Sequence, residues 1–206
     1  LEVGCVTEPV QVKVAGRTHT VRLARTPLDI PQPTNRAPVI LDIETNGLPI
    51  YDADFQVRTV QLASPAWPDV YVVPARIEFY HTLAQVLEAC PVAIAHHAMV
   101  EWQGLAKADI IPGPNAYWSK TIDSMLMVAV TSHPQGPTGD ARLGLKDNTR
   151  ALVDPDYDLD KQLKECMATG YREETGEVWK SGARKGEAKT KHIRYGWGTI
   201  PIDAPA

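Results

Sequence analysis

A chain of 206 residues has the length of one domain, or of one domain with an arm, and its 44% apolar and 22% charged residues are ordinary globular proportions. That excludes disordered, collagen-like and fibrous classes, and no apolar stretch approaches the ~18–20 residues needed to span a membrane. Lys plus Arg of 21 against Asp plus Glu of 25 leaves a net charge of −4, so no global basic field draws the chain to nucleic acid or anionic lipid, and any such contact must be local.

From Val10 to Leu23 apolar and polar residues alternate on either side of Ala15-Gly16, which predicts a β-hairpin. The four prolines between Pro27 and Pro38 block helix interior and central strand, so this stretch is a linker between the hairpin arm and a core. Val39-Ile40-Leu41-Asp42-Ile43-Glu44, closed by Thr45-Asn46-Gly47, reads as a buried strand running into a turn. Arg58 to Ser64 and Asp69 to Val73 extend the same sheet. Phe79, Leu83, Val86 and Leu87 predict an amphipathic helix over 78–90 that stops at Pro91. Val92 to Ala95 is another buried strand and Ala98 to Ala108 a helix. Thr121 to Thr131 is read as a second helix, with Met125, Leu126 and Val128 to Val130 giving it a mostly buried surface. After a Pro/Gly loop from His133 to Gly139 comes a helix over 143–152, and residues 154–170 are read as a further one. Residues 172–194 are polar without an apolar period, and 180–194 hold six Lys or Arg against Glu187, an exposed basic loop. Strands first and strand-helix alternation afterwards predict an α/β fold, a mixed central sheet flanked by helices. Cys5, Cys90 and Cys166 are odd in number, far apart and in no CxxC pair, so neither a disulfide framework nor a zinc site is suggested and a reducing, cytoplasm-like compartment fits. Opening at Leu1 with no basic-then-apolar leader, the chain is expected to be a piece of something longer.

Asp42 and Glu44 lie two apart on a strand, so both carboxylates share one face of the sheet. Paired hard oxygens at the carboxyl end of a strand suit Mg²⁺ or Mn²⁺, although an isolated D-x-E is more often a strand end reaching solvent. A second apolar strand ends in His96-His97 and is followed, one helical turn on, by Glu101. Three acids converging around two ions fit phosphodiester hydrolysis, whereas neither G-x-S-x-G nor a P-loop occurs to support a serine hydrolase or a nucleotide motor. Asp123 reads as a helix N-cap, not a ligand. His96 reads as a hydrogen-bonded structural histidine, while His97 stands evenly between structural and substrate-contacting roles. Trp102, Trp118 and Cys90 read as core, and the basic run from Lys180 to Arg194 as a solvated loop or a local phosphate-attracting patch.

The run from Val39 through Asp42-Ile-Glu44-Thr45-Asn46-Gly47-Leu48 resembles the first motif of the DEDD 3′–5′ exonucleases, and Ile94-Ala-His-His97-Ala-Met-Val-Glu101 resembles their second, usually Asn, three residues, then Asp. Thr121-Ile-Asp123-Ser-Met-Leu-Met and Leu143-Gly-Leu145-Lys146 resemble the helices that follow in that family. Order and spacing are most similar to the proofreading domain of phage-like family A DNA polymerases, over residues 36–206, with 1–35 as arm and linker. The resemblance implies an RNase H-like fold, Asp42, Glu44 and Glu101 as catalytic ligands of two Mg²⁺ or Mn²⁺ ions, and Asp42 bridging both. It implies contacts of Thr45, Asn46, Leu48 and His97 with a single-stranded DNA 3′ end, Leu48 as an apolar wedge. It further implies a C-terminal polymerase domain in the parent chain, no membrane, and a cytoplasmic setting, that of the host if phage-encoded. Glu101 is one methylene longer than the usual Asp, which implies weakened activity or a shift toward Mn²⁺. Tyr195 has Thr199 where the third motif would place Asp, and Asp203 does not fit, so the chain is expected to stop short of that motif. The alternatives are a ribonuclease D-like exoribonuclease and a degenerate fold kept as a single-strand clamp or spacer.

Overall fold

A computed structural model describes residues 9–34, 36–47, 49–131, 144–156, 171–178 and 188–193. The hairpin forms where the alternation places it: β1 (Val10–Val14) and β2 (Arg17–Leu23) pair antiparallel with Val14 opposite Arg17. Ala15 and Gly16 make the turn with φ of 49° and 76°, the doubly positive backbone whose twist matches that of paired strands. The linker ends in β3 (Val39–Thr45), which pairs antiparallel with β4 (Val57–Ala63), and β4 pairs antiparallel with β5 (Val70–Pro74). On the other side of β5, β2 pairs with it in parallel, Val21 opposite Val70, so the hairpin lengthens the sheet at one edge.

Helix α1 (Ile77–Ala89) buries the predicted stripe of Phe79, Leu83, Val86 and Leu87. The chain then returns as β6 (Ala93–Ala95), parallel to β3. After α2 (Ala98–Lys107), β7 (Thr121–Asp123) lies parallel to β6 and completes a sheet of order β1-β2-β5-β4-β3-β6-β7. From β5 across to β7 only β4 runs against the others, the mixed sheet flanked by helices expected of an RNase H-like architecture. Trp102 is wholly buried at its centre. Its ring meets Tyr117 edge to face at 5.6 Å and its indole N–H donates to Thr121 Oγ1 at 3.1 Å. Cys90 is a small core residue, as expected.

The structure corrects four sequence expectations. Residues 121–131 are not one helix: 121–123 are the edge strand β7, and α3 spans Ser124–Thr131. Three residues are too few for a period of two to separate from a helical one. Nor is the surface of α3 mostly buried, since Leu126, Met127 and Val130 are exposed and, with Ile122 and Trp118, line an open apolar groove. Trp118 is thus not core. Apolar composition says that a face is to be covered, not by what. Finally, the polar stretch read as a basic loop carries β8 (Tyr171–Val178) and β9 (Ala188–Ile193), which pair antiparallel in a separate compact unit. A two-stranded ribbon can be polar on both faces, so no apolar period announces it. Lys189 and Lys191 lie on β9. Of the helix expected over 154–170, residues 154–156 are a turn and the rest lies outside the described residues, as do positions 180, 184, 185 and 194 and the Tyr195, Thr199 and Asp203 of the third-motif reading. No helix among the described residues is long and apolar enough to cross a membrane.

The C-terminal end of α1 is closed by a side chain from a distant loop. Lys120 Nζ donates to the carbonyls of Leu87 at 2.6 Å, Glu88 at 2.7 Å and Cys90 at 3.1 Å, and lies 4.8 Å from the Tyr117 ring centroid. An ammonium there satisfies helix-end carbonyls and opposes the negative pole of the helix. Lys120→Met, which keeps the stem and removes the donors, is expected to cost about 2–3 kcal/mol in urea unfolding, because bonds to charged groups contribute more than neutral ones.

Candidate functional site

Asp42 and Glu44 stand near the carboxyl end of β3, on the face their spacing predicts, just before a register shift between Glu44 and Thr45. Such a shift bends the strand and re-aims the side chains beside it. Thr45 Oγ1 accepts the Gly47 amide at 3.2 Å, and Gly47 takes a φ of 79°, which shapes the turn leaving the strand. Asn46 spends its side chain on the same connection, donating to Asp54 O at 2.6 Å and accepting the Gln56 amide at 3.2 Å. It therefore braces the loop. Leu48 lies outside the described residues.

The second half of the site hangs on Asp123. Its carboxylate accepts backbone amides from Met125 at 2.9 Å and Leu126 at 3.3 Å, the predicted N-cap of α3, and also from His97 at 3.1 Å and Ala98 at 2.9 Å. One buried carboxylate thus caps two helices, and α2 needs it because its own N-cap residue, His97, makes no side-chain cap. The parallel pairing of Ala95 with Asp123 brings the two ends together, a tertiary fact that no local spacing encodes. His97 adopts φ 66°, ψ 50°, a left-handed conformation that side chains other than Gly, Asn and Asp seldom take. His96 is structural as expected. Its Nδ1 is 3.0 Å from Ser124 Oγ, which also lies 3.2 Å from Ala95 O.

With its N-terminus fixed, α2 is set close against β3. A Cβ on Gly104 would stand 2.5 Å from Ile43 Cδ1, so glycine permits the approach. One turn earlier, Glu101 is buried, 6% exposed, and the Ile43 amide hydrogen-bonds its carboxyl while Oε2 has no partner. Burial first, then the charges of Asp42, Glu44 and Asp123, push Glu101 up to about 9, the Ile43 amide opposing. Asp42 is raised by burial, with His96 opposing. Glu44 is solvent-accessible yet also raised, by desolvation and then by Asp42, with Lys146 on α4 (Leu145–Leu152) opposing. The structure therefore brings Asp42, Glu44 and Glu101 within electrostatic reach of one another. It does not gather them as ligands: among the described residues no three His, Cys, Asp or Glu side chains are grouped to hold a metal ion. The donor set still fits a hard divalent cation, because every donor is a carboxylate oxygen and one of them is buried without a hydrogen bond. The sequence reading missed the cross-helix bonds of Asp123 and the proximity of Lys146 to Glu44. The Leu145-Lys146 pair had marked that helix without pointing to its charge.

No protein-family model matches the chain, and no curated protein matches it. Among solved structures it is similar to one described as the apo form of a nuclease, at 19% identity and a TM-score of 0.44, over 62% of this chain and 57% of that one. It is also similar to the EXO domain of Aedes aegypti Nibbler, at 16% identity and a TM-score of 0.36, over 58% of this chain and 65% of that one. The chain spans less than two thirds of the length of each.

Asp123→Ala strands four amides at two helix ends and is expected to cost about 3 kcal/mol or more in chemical unfolding, a larger loss than ordinary N-cap removal. A second test is the pH dependence of stability in EDTA. The folded Glu101 holds its proton to about 9 and the unfolded one only to its ordinary value of 4.5. Its contribution is fully present below about 4.5 and is lost progressively as pH rises towards 9. Glu101→Gln should flatten that decline.

Proposed function

We propose that this chain is a metal-dependent 3′–5′ exonuclease, the editing module of a DNA polymerase, which hydrolyses single-stranded DNA from its 3′ end and releases nucleoside monophosphates. The observation that carries the reading is the buried Glu101 carboxyl, with one orphan oxygen, set in the field of Asp42 and Glu44. A structural acid is normally satisfied by donors, whereas this one is surrounded by other acids, a cost that a cation-binding function explains. Asp42, Glu44 and Glu101 would hold two Mg²⁺ or Mn²⁺ ions. Bound there, the ions supply an activated water and stabilise the leaving oxygen.

The chain's own residues have separate tasks in this scheme. Asp42 and Glu44, on one strand face, present hard oxygens at the mouth of the site, and Glu101 closes it from α2. The turn held by Thr45 and Gly47 and the half-buried His97 at the start of α2 flank those carboxylates, where Thr45, Leu48 and His97 would meet the terminal nucleotide. Asn46 acts through the loop it braces. The sheet and helices within 36–157 would carry the exonuclease site, with the hairpin of 1–35 joined to that sheet and the polymerising domain in the same parent chain. Mismatched ends would be preferred because they fray and cost less to unpair.

The test is digestion of a 5′-labelled single-stranded oligonucleotide with Mg²⁺ or Mn²⁺, beside an EDTA control and an RNA of the same sequence. A metal-dependent ladder shortening from the 3′ end is expected, with DNA preferred. Binding without hydrolysis under either metal would replace the enzyme with a clamp. Asp42→Ala should lower the rate about a hundredfold or more, since metal charge stabilisation is worth several kcal/mol. Its thermal midpoint should hold or rise, because a repelling carboxylate is removed.

A further inference from the structure

The connection from β3 to β4 leaves the strand end that carries Asp42 and Glu44, and it is fastened more firmly than its exposure requires. Asn46 donates to and accepts from the Asp54–Gln56 side, and its own amide donates to Gln56 O at 3.0 Å. From α2, Lys107 Nζ donates to Ile50 O at 2.8 Å and to Asp52 O, and lies 5.7 Å from the Phe55 ring centroid, while Phe55 packs against the core. The Asp52 amide donates to Pro49 O and the Phe55 amide to Asp52 O. None of these fastenings uses the side chain of Tyr51, which stands between the two carbonyls held by Lys107 and is 85% exposed. A loop tethered on both sides of Tyr51 thus presents an aromatic ring to solvent.

We propose that Tyr51 is a stacking platform for an unpaired nucleobase of the strand whose 3′ end is held at Asp42, Glu44 and Glu101. The inference rests on the nuclease reading above and extends it to how the strand is gripped. Five residues separate Thr45 from Tyr51 and the six steps of chain span at most ~22 Å, so the platform lies within a few nucleotides of the strand end. A tyrosine has only two side-chain torsions, and on a braced loop little freedom is lost when a base settles on it. Asp52 and Asp54 beside it repel phosphate, so the ring meets the base face with the sugar-phosphate chain turned away. Stacking accepts any base, which suits an enzyme that must handle whatever sequence ends the strand.

The test measures fluorescence anisotropy of a labelled oligothymidylate of about ten residues in EDTA, so that no hydrolysis intervenes. Tyr51→Ala is expected to raise Kd about 5- to 100-fold, and Tyr51→Trp to restore it. Removing a stacking contact leaves the salt dependence alone, so the loss should be the same at about 50 and 200 mM salt, unlike the loss of a phosphate contact. The thermal midpoint of Tyr51→Ala reads folding separately. A parent protein that binds and cleaves, with a folded Tyr51→Ala form that binds equally well, overturns the platform and leaves the nuclease reading standing. A parent that neither binds nor cleaves single strands overturns both.

Discussion

The carboxylate of Asp123 is the point on which the candidate site depends. Four amides converge on it, two from the start of α3 and two from the start of α2. Helix N-termini leave orphan donors that must find partners, and here one acceptor serves two helices. The direction and depth of α2 follow from that bond pair, because its first residue is pinned beside β7 and its next turn must cross β3. Gly104 then sets how near it comes, and Glu101 arrives buried beside the acids of β3. The left-handed His97 belongs to the same device, since it turns the chain from β6 into α2 and its own amide is one of the four on Asp123.

That arrangement concentrates negative charge where water is scarce. All three acids of the site are pushed toward the protonated form, Glu101 most strongly. The opposing influences come from its margins, His96 on Asp42 and Lys146 on Glu44. Apolar side chains of similar volume in place of such a cluster are often neutral or stabilising, so the crowding has a cost in stability. A proton or a cation would relieve it, and the two compete for the same oxygens.

Much of the sheet was legible because burial leaves local traces. The alternation around Ala15-Gly16, the stripe of α1 and the apolar run of β3 each report a face that must be hidden, and each element lies where its residues placed it. The two-residue spacing of Asp42 and Glu44 gave their shared face for the same reason. Legibility ended where an element is too short to show a period, as at β7, or polar on both faces, as at β8 and β9. It also ended where partners meet only through tertiary pairing. Asp123 reads locally as a cap for one helix; that it caps a second is a consequence of β6 and β7 lying side by side. That the Asn46 side chain braces the loop was likewise hidden, because its partners Asp54 and Gln56 lie eight and ten residues along the chain.

The loop it braces shows how the two kinds of constraint divide. Lys107 reaches back from the last turn of α2 to the carbonyls of Ile50 and Asp52, so the helix that delivers Glu101 also holds the connection leaving β3. The same rigid body therefore fixes the acid and the loop beside it. An ammonium on two carbonyls is a strong, directional tie, and it lies at the opposite end of α2 from Asp123. One end of α2 is thus bonded to the Asp123 carboxylate and the other, through Lys107, to the carbonyls of the loop. The spacing between Glu101 and the exposed loop is then tied to one helix of ten residues as well as to the loop's own preferences.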